Sequence, residues 1–249
     1  LTVGNDSRVE GTNLVHTVSL SDPSSTAQSY AISLSGNTAT AGTDFDAVLA
    51  NAVFSNGVTY DALTGLITVP AGVTSFIVGY ATVQDNIFEA DETTTLTIGA
   101  STGTGTITND DAVPTISVGD DTQVEGTNLV HTVSLSNPSS TAQSYAISLT
   151  GNTATAGTDF DNVLANAVFS NGVTYDAGTG QITVPAGVTS FTVGYATTQD
   201  NIFEADETTT LTIGGSTGTG TITNDDAVPT LSVGDDTQVE GTNLVHTVS

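Results

Sequence analysis

The 249-residue sequence has no cysteine, methionine or tryptophan, and Arg8 is its only lysine or arginine. Without cysteine, neither disulfides nor a thiolate metal site can form. The 27 acidic residues give a formal net charge of -26, which makes nucleic acids and anionic membrane surfaces poor partners. No apolar run approaches the roughly 18 residues needed to span a bilayer, so membrane insertion is not expected. Neither an initiator Met nor a leader opens the chain, and we expect it to be part of a longer protein.

Hydrophobic residues make up 37% of the chain and alternate with polar ones at a period of two, which is typical of half-buried β-strands. The alternation is clearest over 14–20, and it places His16, like its counterparts His131 and His246, in the core. A helical turn is a candidate only at 46–52. Strands are predicted in the first 115 residues at 1–3, 14–20, 30–34, 53–60, 66–69, 76–83, 93–98 and 105–108. Roughly seven short strands per domain predict an all-β, immunoglobulin-like sandwich.

The sequence is a tandem repeat. A Val-Glu-Gly motif around Glu10 returns at Glu125 and Glu240, and 125 − 10 and 240 − 125 both equal 115. Repeats 1–115 and 116–230 differ at only 13 aligned positions, so they must share one fold and one set of sites. Because this period is the size of an ordinary domain, we expect two complete domains, 1–115 and 116–230, and the first strands of a third over 231–249.

Each repeat carries an acidic stretch, Asp-Asn-Ile-Phe-Glu-Ala-Asp-Glu, at 85–92 and again at 200–207. Alternating strand directions bring four loops of the first repeat to one end, with Glu10, Asp44, Asp85, Glu89, Asp91, Glu92, Asp110 and Asp111. Two carboxylates about 4 Å apart repel by ~4 kcal/mol at an effective dielectric of about 20, which favours a bound cation. Oxygen ligands in variable loops favour calcium over magnesium. The alternative is that these acids are simply solvated.

Two further features concern other kinds of site. Asp120 and Asp121 indicate either a β-bulge or a second, weaker cation site. Serine, histidine and aspartate are all present, but His16 is predicted to point into the core, away from the acidic end. No nucleophile and base are therefore expected within hydrogen-bond distance, and the protein is not expected to be an enzyme.

Five motifs occur in the same order in both repeats. In the first repeat they are Val-Glu-Gly before a Thr-Val-Ser-Leu-Ser strand, Thr-Ala-Thr-Ala-Gly-Thr-Asp-Phe (38–45), Pro-Ala-Gly-Val-Thr-Ser (70–75), the acidic stretch (85–92) and Gly-Thr-Ile-Thr-Asn-Asp-Asp (105–111). Together they resemble the Calx-β domain. The resemblance implies a seven-stranded sandwich that binds calcium at one end. The implied ligands are Glu10, Asp44, Asp85, the Ile87 carbonyl, Glu89, Glu92, Asp110 and Asp111, and in the second repeat Glu125, Asp159, Asp200, the Ile202 carbonyl, Glu204, Glu207, Asp225 and Asp226.

The sequence also departs from that family at two positions. Gln84 and Asn109 stand where sodium–calcium exchangers, which share the fold, have further aspartates, so fewer ions are expected here.

Near-identical, very acidic tandem copies resemble the extender regions of bacterial RTX adhesins. We therefore expect calcium-stiffened spacer repeats in an extracellular, cell-surface protein of cell adhesion or biofilms, with calcium, neighbouring repeats and possibly other copies of the chain as partners. Pro114 makes the junction 110–115 stiff, and calcium held by Asp110 and Asp111 would clamp it. Two alternatives are a self-assembling fibre with strand exchange between chains and a module that binds carbohydrate or protein.

Overall fold

The computed structural model describes all 249 residues, which divide into two compact units. Unit 1 consists of Leu1–Thr115 and Ser136–Thr141, and unit 2 of Ile116–Leu135 and Ala142–Ser249. Each unit contains a four-stranded and a six-stranded sheet. The chain has no helix with the length and apolar content of a membrane span. The prediction of tandem all-β sandwiches is confirmed.

Unit 1 contains ten short strands. They are β1 (Thr2–Val3), β2 (Asp6–Val9), β3 (Leu14–Ser19), β4 (Gln28–Gly36), β5 (Val53–Phe54), β6 (Thr59–Asp61), β7 (Leu66–Val69), β8 (Ser75–Tyr80), β9 (Glu92–Ile98) and β10 (Ser101–Thr108). One sheet has the order β1-β3-β8-β5, and the other has the order β2-β10-β9-β4-β7-β6. Pairing is antiparallel except between β2 and β10, which run parallel.

Unit 2 repeats this arrangement. Its strands are β11 (Ile116–Val118), β12 (Asp121–Val124), β13 (Leu129–Leu135), β14 (Gln143–Gly151), β15 (Val168–Phe169), β16 (Thr174–Asp176), β17 (Gln181–Val184), β18 (Ser190–Tyr195), β19 (Glu207–Ile213) and β20 (Ser216–Thr223). The sheet orders are β11-β13-β18-β15 and β12-β20-β19-β14-β17-β16. The agreement is expected from two sequences that differ at so few positions.

The strands outnumber the roughly seven expected because the chain changes sheets between β1 and β2 and again within the predicted strand 53–60. The prediction of one strand over 53–60 is wrong, since β5 and β6 lie in different sheets. Between them Asn56 and Gly57 adopt positive φ angles of 54° and 74°, a turn that asparagine and glycine tolerate. The predicted helical turn is a 3-10 turn at Leu49–Asn51.

The core of each unit follows the period-two pattern. In β3, Leu14, His16 and Val18 are fully buried, and the next residue along from each is more accessible. Phe45 and Phe76 are the largest fully buried side chains of unit 1. The alternation read from the sequence therefore assigns the inward face of this strand correctly.

His16 is fully buried as predicted, and both of its ring nitrogens have polar partners. Nδ1–H donates to the Gly4 carbonyl (2.7 Å), and Nε2 lies 3.0 Å from the hydroxyl of Tyr80. That hydroxyl lies 2.6 Å from Oγ1 of Thr94, and burial raises the pKa of Tyr80 to about 12. The same network in unit 2 consists of His131, Tyr195 and Thr209.

Residues 231–249 do not form the two strands that the repeat predicts. Backbone hydrogen bonds join Ser232 to Ser249 around a single bridge between Val233 and Val248. His246 is exposed, so its assignment to a core is wrong. In unit 1 the equivalent histidine is covered by β8, and 231–249 contain no counterpart of that strand.

We predict that Tyr80→Phe lowers the free energy of unfolding of unit 1 by about 1–3 kcal/mol, because it leaves buried Nε2 of His16 without its partner. The measurement is native-state hydrogen exchange of the Leu96 and Ile98 amides in β9. Tyr60→Phe is the matched control, since it keeps a half-buried ring stacked on Phe54. Equal effects of the two substitutions would contradict the role given to the network.

Candidate metal centre

The parallel pairing of β2 with β10 fixes the first part of the acidic end of unit 1. Val9 is the register partner of Thr108, so the residues after both strands leave the sheet side by side. The Asp110 N–H consequently donates to Oε1 of Glu10 (3.2 Å), and the Glu10 N–H donates to the Thr108 carbonyl (3.1 Å). Glu10 and the aspartates after β10 meet because of strand pairing rather than loop length.

Two further loops complete this end. Asp44 lies in a tight turn, where its Oδ2 accepts a short hydrogen bond from the Thr40 N–H. The acidic stretch 85–92 connects β8 to β9, and Oδ1 of Asp85 accepts the Ile87 N–H (2.7 Å). Each of these aspartates thus orders its own loop through a backbone N–H group.

The four loops gather six carboxylates of unit 1 into two triads. In each triad, one carboxylate oxygen from every residue lies within 4.8 Å of the others. The first triad is Glu10, Asp85 and Asp111, and the second is Asp44, Glu89 and Glu92. Residues of both triads line one pocket, together with Asn109. This is the convergence that the strand directions predict.

Unit 2 also has two triads, but one member differs. They are Asp159, Glu204 and Glu207, and Glu125, Asp225 and Asp226. Asp225 therefore takes the place that Asp85 has in unit 1. Asp200, the counterpart of Asp85, lines a pocket of unit 2 with residues of both triads.

The remaining sites implied by the family resemblance lie nearby. Asp110, outside the unit 1 triads, accepts a hydrogen bond from Gln84 through Oδ1 (3.0 Å). Ile87 and Ile202 lie within the acidic loops, and their N–H groups donate to Asp85 and Asp200. That their carbonyls bind a metal stays a prediction.

Two amide side chains that replace expected acids organise the site. Asn109 accepts the Glu89 N–H through Oδ1 (3.1 Å) and donates through Nδ2 to the Asp111 carbonyl (2.8 Å), so it joins the 85–92 loop to the end of β10. Gln84 donates to both Asp110 and the Asp85 carbonyl. In the sequence these two residues stand where ligands are expected, and their amide donors are the signal for this second role.

No base of the protein neutralises the triads. Arg8, the only lysine or arginine, pairs with Asp6 (3.0 Å), which belongs to neither triad. Burial raises the pKa of Glu92 to about 8, together with a hydrogen bond to Asp44 and the negative charge of Asp44. The same causes, with Asp159 as partner, raise the pKa of Glu207 to about 7. The crowding of the acids therefore favours the protonated form of these two carboxyls.

The residues present fit a hard divalent cation. In each unit one buried carboxylate oxygen, Oδ2 of Asp111 or of Asp226, has no hydrogen-bond donor. Buried acceptors are ordinarily paired, and a cation would satisfy these two. The triads offer only carboxylate oxygen atoms, a donor set that suits calcium better than zinc or copper.

Other acids lie outside the triads. Asp120 and Asp121 accept backbone N–H groups, from Thr219 and Val130 respectively (both 2.7 Å), at the point where the chain passes from β11 to β12. They mark this change of sheet and are not in a metal-binding cluster. Asp61 accepts from Leu63 and Thr64 in an exposed turn.

In a chelator, we predict that the melting temperature falls as the pH rises from about 5 to about 8. A carboxyl whose pKa is raised in the folded state stabilises it fully below the unfolded pKa of about 4.5, and this contribution is lost as the pH passes the folded pKa of Glu92 or Glu207. Replacing both by glutamine should flatten the profile measured by calorimetry.

Asp61→Asn is the control for this pH profile. Hydrogen bonds from Leu63 and Thr64 lower the pKa of Asp61, so its contribution is lost only at more acidic pH. The slope between pH 5 and 8 should therefore persist in this variant. An unchanged slope in the double glutamine variant would show that other groups cause it.

Several solved structures are similar to this chain at low sequence identity. A crystal structure of CBD12 from CALX1.2 is 15% identical and covers 84% of this chain and 78% of its own, with a TM-score of 0.36. The calcium binding domain CBD12 of CALX1.1 is 16% identical over 84% and 77%, with a TM-score of 0.34. The Yersinia pseudotuberculosis adhesin InvE is 12% identical over 90% and 58%, with a TM-score of 0.33. No curated protein sequence matches the chain.

The family comparison agrees with the motifs and with the two-sheet architecture. The model of the Calx-beta domain matches residues 7–122, 109–176 and 170–237, so the matches extend over most of both repeats. The chain belongs to the Calx-beta domain family.

Proposed function

We propose that the chain binds Ca²⁺ at the paired carboxylate triads of each unit and forms extender repeats of a long bacterial cell-surface or secreted adhesin. The observation that carries the calcium proposal is the gathering of six carboxylates from four loops without a neighbouring base. Membership of the Calx-beta domain family supports the same choice of ion. The adhesin role is supported by the near-identity and the acidity of the repeats.

The ion would act as a cross-link and as a counter-charge. The triad of Asp44, Glu89 and Glu92 would bind an ion through its carboxylates. The triad of Glu10, Asp85 and Asp111 would do the same. Two full charges 4.8 Å apart repel by roughly 3–4 kcal/mol at an effective dielectric of about 20, and a bound cation removes this repulsion. It would also join loops that are distant in sequence, so that folding and binding are linked.

The same linkage suits a spacer in an extracellular medium. A ligand bound only by the folded state stabilises it by RT ln(1 + [L]/Kd), or about 2.7 kcal/mol at a hundredfold excess over Kd. Extracellular calcium modules have Kd values of about 10⁻⁴–10⁻³ M. Repeats that fold firmly only after export would serve as stiff elements between a cell and its target.

The two alternatives make different demands on the chain. A carbohydrate- or protein-binding module needs an accessible recognition surface, and the repeats vary little in their loops. Tyr80 is buried, and Tyr60 and Phe54 stack on each other at 6.3 Å between ring centroids. A strand-exchanging fibre needs contact between chains, which concentration-dependent sedimentation would detect.

Calcium should raise the melting temperature, and Asp44→Ala should remove most of this increase in unit 1. Asp44 supplies a ligand from a loop that no other triad residue shares, so no nearby acid replaces it. Differential scanning calorimetry in calcium and in chelator measures the increase for each variant. A thermal transition of the unsubstituted chain that calcium leaves unmoved would refute the proposed function.

The matched control is Asp61→Ala. Asp61 lies outside both triads, so the substitution removes one negative charge without removing a proposed ligand. The calcium-dependent increase should remain as in the unsubstituted chain. If Asp61→Ala reduced it as much as Asp44→Ala does, general charge reduction would explain the effect.

Calcium should also narrow the distribution of conformations of the whole chain. Asp110 and Asp111 begin the short junction 110–115, and Pro114 restricts its backbone. Small-angle scattering should give a narrower distance distribution in calcium than in chelator, and Asp111→Asn should reduce the difference. Identical profiles in both conditions would show that stiffness does not depend on the ion.

A further inference from the structure

In unit 1 the backbone of Phe88, in the middle of the acidic loop, is paired with the segment Ser136–Thr141. The Phe88 N–H donates to the Pro138 carbonyl (2.9 Å), and the Phe88 carbonyl accepts from the Ser140 N–H (3.0 Å). Oγ of Ser139, a residue only 3% exposed, donates to the same carbonyl (3.2 Å). Both backbone polar groups of Phe88 are therefore used by this one segment.

Asn137 anchors the segment at a second point. Its Nδ2 donates to the carbonyls of Ala112 (2.9 Å) and Pro138 (3.4 Å), and its Oδ1 accepts from the hydroxyl of Ser136 (2.7 Å). Asn137 is only 7% exposed, so bulk water is a poor alternative partner for its polar atoms. Because the carbonyls of Ala112 and Pro138 are both acceptors, the side-chain group that faces them must be a hydrogen-bond donor.

The first repeat has aspartate at the equivalent position. Its turn reads Ser-Asp-Pro-Ser-Ser from Ser21, whereas the turn that pairs with Phe88 reads Ser-Asn-Pro-Ser-Ser from Ser136. Asp22 is exposed and makes none of the contacts of Asn137. An ionised aspartate has no donor, so at position 137 it would put a desolvated charge against two carbonyls.

We propose that the Phe88 backbone and the Ala112 carbonyl form a recognition surface for a Ser-Asn-Pro-Ser-Ser turn, and that the residue at its second position determines specificity. Asparagine admits the turn because its amide donates to Ala112, and aspartate excludes it. The proposal goes beyond calcium binding, since every contact that carries it is a hydrogen bond between protein groups.

Unit 2 provides an internal reference for the test. Phe203 occupies the same place in an identical acidic loop, 200–207, but no segment of the chain pairs with its backbone and its side chain is 47% exposed. Because neighbouring residues are identical, the amides of Phe88 and Phe203 have the same intrinsic exchange rate. Their observed ratio therefore reports docking of the turn.

The experiment measures this ratio by NMR on the full chain. Selective ¹⁵N-phenylalanine labelling gives eight backbone signals, one for each phenylalanine, and the single variants Phe88→Tyr and Phe203→Tyr assign the two relevant signals. In the unsubstituted chain we expect the Phe88 amide to exchange slower than that of Phe203 by on the order of tenfold or more. Asn137→Asp should bring the two rates together.

Two further variants make the result specific. Asp22→Asn changes an exposed residue at the matched position and should leave the ratio as it is. Asn137→Ala removes the donor without adding charge, so it should also reduce the ratio and provides a second measurement of it. Equal rates in the unsubstituted chain, or a ratio unchanged in both Asn137 variants, would overturn the proposal. Both loops are compared in one sample that contains chelator, so the outcome does not depend on whether calcium binds.

Discussion

The strand order of each unit brings carboxylates close together, and their mutual repulsion is the constraint that the rest of each acidic end must offset. Parallel pairing of β2 with β10 puts Glu10 beside the aspartates after β10, and the connections around β8 and β9 add the other acids. A chain with one arginine cannot offset this charge with its own bases. The pKa of Glu92 is raised, and one oxygen of Asp111 is buried without a hydrogen-bond donor. Both features support the proposal that these carboxylates bind a cation.

Neutral amides hold the loops in place without adding to that repulsion. Asn109 and Gln84 connect the loop 85–92 to the residues after β10, and each donates to a carbonyl or carboxylate that would otherwise face another acceptor. Asn137 does the same for Ala112 in unit 1. An aspartate at any of these places would remove a donor and add a charge at once. The choice between amide and acid at these positions therefore determines both the hydrogen bonds and the net charge of the acidic ends.

The near-identity of the repeats separates local from contextual effects. Leu14 and Leu129, or His16 and His131, have the same burial because the same strands surround them. His246, with the same neighbours in sequence, is exposed because 231–249 contain no counterpart of β8. Phe88 and Phe203 differ in their partners although their loops are identical. Sequence alone assigns an inward face, and only a neighbouring element makes that face buried.

The sequence by itself determined the all-β class, the repeat of 115 residues, the inward face of β3 and the acids that converge, because alternation and strand direction are local properties that add up along the chain. Only the tertiary structure decided where strands break and change sheets, as at Asn56 and between Asp120 and Asp121. It also decided how the acids divide into triads, because one triad contains Asp85 in unit 1 but Asp225, which is not its counterpart, in unit 2. These outcomes depend on hydrogen bonds and distances between residues up to a hundred positions apart, and no local pattern encodes such distances.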